Sequence, residues 1–186
     1  MLATTVNDHL FWITSRAAGT LALLFSSVAV GVGLSMGGKL IKGRGPDLRV
    51  AHEALSMATI VAIVAVALLG DRFMHPSVAD ITIPFVSSYM TAWTTIGIVG
   101  GWMMIILGLS FYVRGRIGRQ RWRKLHRFTA LAWILGLAHS LGEGTDAGQL
   151  WFLVATAIVV LPAAALLVVR LSPRRPAPRA VAGVRP

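Results

Sequence analysis

Five mostly apolar runs recur along the chain, and their length decides most of what it can fold into. The runs are Leu10 to about Met36, about Val50 to Leu69, about Ala92 to Val113, Trp122 to about Leu141, and Leu150 to Val169. Crossing the ~30 Å hydrocarbon core of a bilayer takes ~20 such residues in a helix. In hydrocarbon a backbone must satisfy its own hydrogen bonds, so each run is expected as a helix. The expected fold class is an all-α membrane protein, a bundle of about five transmembrane helices. Only 13% of the residues are charged, against ~25% in a soluble domain. The first run is polar at its start (Thr14, Ser15, Arg16) and is expected to tilt or to begin in the interface.

Charge sets the orientation. Lys39, Lys42, Arg44 and Arg49 lie between runs one and two. Seven more basic residues, Arg114 through Arg127, separate runs three and four, and five lie at or beyond Arg170. Sixteen of the 18 basic residues therefore fall on one side. The other side receives Asp8, Asp71, Asp80, Glu143 and Asp146, with only Arg16 and Arg72. The positive-inside rule puts the basic side in the cytoplasm, the N-terminus outside and the C-terminus inside. The net charge of +11 then reflects topology and contact with anionic lipid rather than a nucleic-acid role. Residues 1–9 read as an outer segment with no cleavable signal, 10–170 as the membrane domain, and 171–186, rich in proline and arginine, as a disordered basic cytoplasmic tail. Trp12, Trp93 and Trp151 are expected near the outer interface and Trp122 near the inner one, whereas Trp102 and Trp133 sit deeper and pack on other helices. Residues 71–90 read as a loop lying on the membrane surface.

Cysteine is absent, which excludes thiolate-held clusters and a covalently attached haem. Any metal centre rests on histidine, methionine or carboxylate. His52, His126 and His139 lie in or at the ends of runs, where ionisable groups mark function. His52 and His126 stand at similar depth on runs that travel the same way, so they form an axial pair for a haem iron. His139 lies ~20 Å further along, and 13 residues turn an ideal helix by about 220°, so it does not share the face of His126. It suits a second, outer haem. The position expected for its partner is Val66, next to Ala65, and neither binds iron; His75 or His9 is the substitute. Arg49, Arg123, Lys124 and Arg127 flank the inner pair as cations for haem propionates, and Arg16 either neutralises an outer propionate or pairs with Glu143 or Asp146. Glu53 supports His52 or pairs with an arginine. Gly19, Gly31, Gly33, Gly97, Gly100, Gly101 and Gly108 permit close helix approach. The rival reading of the histidines is packing alone.

Four stretches carry a resemblance. They are Trp12-x-x-x-Arg16-x-x-Gly19; His52-Glu53-Ala54-Leu55-Ser56 with Gly70-Asp71-Arg72 and Pro84-Phe85; Ile117-Gly118-Arg119-x-x-Trp122-x-x-x-His126-Arg127; and His139-x-x-x-Glu143-Gly144-Thr145-Asp146. Across roughly residues 10 to 150 the chain resembles the ferric-reductase-like transmembrane family. The likeness is to its small bacterial members, such as the haem-binding membrane subunit of the methionine sulfoxide reductase system. The resemblance implies b-type haem held between helices by paired histidines, with His52 and His126 as the inner pair and His139 as an outer ligand. Many relatives carry a second histidine where Val66 stands.

The function expected is that of a multi-pass b-type cytochrome in the cytoplasmic membrane, transferring electrons through bis-histidine haem as the membrane subunit of a reductase system. It holds one haem, or two if His139 finds a partner. No nucleotide-binding glycine motif is present, so a separate donor, a flavin reductase or a quinol, delivers the electrons to an acceptor the sequence does not name. The alternatives are a non-redox anchor or assembly protein, and a protein that holds one haem without conducting across the membrane.

Overall fold

The computed structural model describes residues 2–38, 40–41, 43–69 and 77–172. Among these the chain is all-helical: α1 Leu2–Gly38, α2 Gly45–Leu69, α3 Val78–Thr82, α4 Thr91–Leu109, α5 Arg114–Ile117, α6 Arg119–His126, α7 Thr129–Gly142 and α8 Leu150–Leu171. Four helices are long and apolar enough to cross a membrane, over Leu10–Gly38, Gly45–Ala67, Thr91–Leu109 and Leu150–Leu171. By length and composition this is a multi-pass membrane protein. Residues 2–9 form the first turns of α1, ahead of its apolar span. The expected basic tail lies outside the described residues from 173 onward, as do Lys39, Lys42, Asp71, Arg72 and His75.

Local chemistry accounts for several boundaries. α2 starts at Gly45 with Pro46 and Asp47 in its first turn, where proline loses no hydrogen bond and an acid faces the positive end of the helix dipole. The expected run from Trp122 to Leu141 is divided, because the helix tightens at Arg127 and Phe128. There Phe128 N–H bonds back to Leu125 O (2.9 Å) and Ala130 N–H to Arg127 O (3.3 Å), three residues rather than four. That leaves α7 with 14 residues, ~21 Å of helix on its own.

The helices alternate in direction. On α1, Gly33 faces His52 and Gly19 faces Val66, which makes α2 antiparallel to it. Gly108 and Gly101 of α4 face Ile60 and Ile63 of α2 in the same reversed order. Trp122 donates to Ser110 Oγ (3.1 Å) at one end of α4, and Thr94 donates to Glu143 Oε2 (3.0 Å) at the other, so α6 and α7 run back along α4. α8 is parallel to α1: Arg16 pairs with Asp146 before α8 begins, and Arg170 Nη1 donates to the Gly37 carbonyl (2.9 Å) where α1 finishes. One end of the bundle therefore gathers Arg49, the cluster from Arg114 to Arg127, and Arg170. The opposite end gathers Arg16, Glu143 and Asp146. The charge segregation read from the sequence is thus a property of the fold among the described residues.

The link before α4 departs from the expected surface loop. Ser77 and Asp80 form a capping box that starts α3. Beyond it Phe85 N–H donates to Thr95 Oγ1 (3.0 Å) and Trp102 Nε1 donates to Thr82 O (2.9 Å). Thr95 and Trp102 lie ~10 Å apart along a helix, so the link folds back down the side of α4. Trp102 is satisfied by that link and stays 46% exposed instead of packing deep.

Trp133 does pack deep, at 2% exposure. Its indole N–H donates to Ser27 Oγ (2.9 Å), and Ser27 donates in turn to Leu23 O (2.7 Å). This polar relay ties α7 to the centre of α1 where no water competes. Ser27→Ala leaves the indole N–H without its acceptor, and we expect a loss of ~1 kcal/mol, read as a lower thermal midpoint in detergent. An unchanged midpoint would show that the relay contributes nothing.

Candidate imidazole pair and its surroundings

His52 sits in the second turn of α2 and turns toward α1. Its Nδ1 lies 2.9 Å from the Ala29 carbonyl. That carbonyl already accepts within its own helix, and the imidazole reaches it beside Gly33, one turn further on, where there is no side chain in its way. A Cβ on Gly33 would stand 3.0 Å from His52 Cε1. The same device recurs on α4 and α7. His139 Nδ1 lies 3.0 Å from the Trp93 carbonyl, and a Cβ on Gly97, four residues past Trp93, would stand 2.5 Å from that nitrogen. In both cases the helix carbonyl fixes the proton on Nδ1 and leaves the lone pair on Nε2. Metal-binding histidines are oriented in this way, by a hydrogen bond from the nitrogen that does not bind.

His126 closes α6 and faces His52. The two ring centres are 6.1 Å apart and the rings are perpendicular, at 87°. A first-row metal binds imidazole nitrogen at ~2 Å, so two imidazoles sharing one ion bring their ring centres to ~6 Å. Nδ1 of His126 is buried and has no hydrogen-bond partner among the described residues, a state that costs ~1–3 kcal/mol where nothing satisfies it. Trp122, one turn earlier on α6, stacks on the His126 ring (4.9 Å, 24°) and so limits its rotation. In donor type and ring spacing the pair is compatible with a bis-imidazole site. An ordinary edge-to-face ring pair also falls at this distance.

His139 occupies a different environment. Its ring lies against the Trp93 carbonyl of α4, whereas His126 faces His52 of α2 and the Leu107 backbone further along α4. Glu143 Oε2 lies 3.3 Å from its Nδ1. Among the described residues no second imidazole packs against it, and Val66 spends its side chain on α1 near Gly19. A bis-imidazole site does not fit here. His75 lies outside the described residues, and His9 is placed in α1 without a described side chain. No group of three or more histidine or carboxylate side chains converges on one point among the described residues.

The predicted cations separate. Arg16 pairs with Asp146 (Nε to Oδ2 3.1 Å) and lies 4.1 Å over the Trp12 ring, so of its two expected roles the ion pair is the one realised. Arg49 and Arg127 are exposed near the inner pair and make no ion pair among the described residues. Arg123 lines a concavity with other arginines. Glu53 accepts from the Tyr112 hydroxyl (3.0 Å), not from an arginine. That hydrogen bond holds the Tyr112 phenol above its ordinary pKa.

Sequence reasoning missed the carbonyl acceptors and the ring that stacks on His126. The spacing of four between Trp122 and His126 carries the second signal; nothing local marks Ala29 or Trp93. Gly97→Ala should displace the His139 ring and lower the thermal midpoint. Gly136→Ala, where an added Cβ meets nothing within 4 Å, should be neutral or stabilising by up to ~1 kcal/mol. Equal effects from the two substitutions would mean that the close approach is not constraining. Compared with protein-family models, with curated proteins and with solved structures, the chain matches none.

Proposed function

We propose that the chain is a membrane b-type cytochrome that holds one haem between His52 and His126 and passes electrons as the membrane subunit of a reductase system. The observation that carries this reading is the facing pair at 6.1 Å, with His52 fixed through Nδ1 to a helix carbonyl. The motif resemblance over residues 10 to 150 points the same way. When bound, the group supplies one-electron chemistry at its iron. His52 and His126 would hold it. Ala29 and Gly33 orient His52, and Trp122 orients His126. Arg49 and Arg127 are the nearby cations for its propionates. The surrounding apolar helices exclude water and so set the local dielectric on which potential depends.

In the same proposal the bundle crosses the cytoplasmic membrane five times, with α6 and α7 together making the fourth crossing, and its basic end faces the cytoplasm. His139 is then a hydrogen-bonded group of the outer end rather than a second axial pair. The donor is a separate flavin reductase or a quinol.

The test is a reduced-minus-oxidised absorbance spectrum of protein purified from cells supplied with haem. We expect b-type Soret and α bands at about one haem per chain. His52→Ala and His126→Ala should each remove most of the signal, and His139→Ala should keep it. A wild-type preparation without those bands supports the anchor or assembly reading instead. Bands that respond to a reductant but never pass electrons across vesicles support the non-conducting one.

A further inference from the structure

At the basic end, the chain leaving α4 makes a corner unlike the rest of the bundle. α5 is a single turn beginning at Arg114. Gly118 then adopts φ +91°, and α6 starts immediately after it. That left-handed glycine turns α6 back so that Arg119, Trp122 and Arg123 face Arg114 across a concavity of about 300 Å³. One wall is fixed. The Arg114 guanidinium lies 3.7 Å over the Phe111 ring and donates to the Phe111 carbonyl (2.7 Å), and Trp122 is tied to Ser110.

Charge in this concavity is unbalanced. Arg119 and Arg123 make no hydrogen bond or ion pair among the described residues. The acids at this end are Asp47 and Glu53, and Glu53 is engaged by Tyr112. Three guanidinium groups lining one concavity without a carboxylate among its lining residues repel one another, and an anion bound there would relieve that repulsion. The planar guanidinium fork matches the oxygens of phosphate. Depth agrees with this: the site opens a few residues past Leu109, where α4 ends, and exposed Tyr112, Val113 and Leu125 flank it as interfacial side chains do.

We propose that Arg114, Arg119, Arg123 and the Trp122 ring form a binding site for a phosphate group, presented by an anionic phospholipid headgroup or by a soluble phosphate. The site uses none of the histidines and shares with the haem reading only the Trp122 ring, which also stacks on His126; the variants below leave that ring in place. Its volume is at the small end of ligand pockets, which suits a headgroup.

Native mass spectrometry of the full chain in detergent, titrated with short-chain phosphatidylglycerol or phosphatidylcholine, tests the site. Wild-type protein should retain one phosphatidylglycerol under conditions that strip phosphatidylcholine. The double variant Arg119→Gln/Arg123→Gln should bind about tenfold or more weakly. Arg116→Gln/Arg121→Gln, which removes the same charge from α5 and α6 outside the concavity, should stay within about twofold. Inorganic phosphate added in competition separates the sources: displacement of the lipid identifies a site open to soluble phosphate, and failure to displace it identifies a headgroup site. Equal weakening in both double variants, or equal retention of the two lipids, overturns the proposal. A circular dichroism spectrum confirming helical content keeps the variants comparable.

Discussion

The hydrogen bond from His52 to the Ala29 carbonyl is the contact on which the functional reading turns. An imidazole in hydrocarbon has two nitrogens to satisfy and few partners. A ring from another helix meets the Ala29 carbonyl of the α1 ladder beside Gly33, where no side chain stands between them. The bond fixes the tautomer and so decides which nitrogen is left to act as a ligand. His139 repeats the arrangement against Trp93 and Gly97, so the device belongs to the bundle rather than to one accident of packing.

α1 holds the remaining elements in register. It carries the Ser27 hydroxyl for Trp133, the Gly33 gap for His52, the Gly37 carbonyl for Arg170 and the Arg16 partner of Asp146. Each of these pairs joins it to a different stretch of the chain. In hydrocarbon apolar surface gives helices little reason to associate, so such polar and close-packed contacts carry much of the specificity.

Much of this was legible in the sequence because two signals are strong in membrane proteins: run length and the sign of loop charges. They placed the four long spans and the segregation of charge. Histidine depth followed from those runs, so the meeting of His52 with His126 was accessible to simple helix geometry. What was not legible depends on tertiary contact. No local pattern in the run from Trp122 to Leu141 announces the tightened turn at Arg127 and Phe128. The link before α4 reads as an interfacial loop until Trp102 and Thr95 are seen to hold it. Glycines were visible as packing residues, but which histidine each one admits is a property of two helices together.

One feature of α1 bears on how the molecule sits. Its apolar span, Leu10–Gly38, has 29 residues, ~44 Å of helix, whereas the hydrocarbon slab is ~30 Å thick. From Ala17 to Gly38 the helix is ~33 Å long, which matches the slab by itself. With the slab set over that stretch, the Arg16–Asp146 pair falls at its edge and the helical turns before it extend past the lipid. Anything approaching the bundle from that side meets these turns before it meets the membrane.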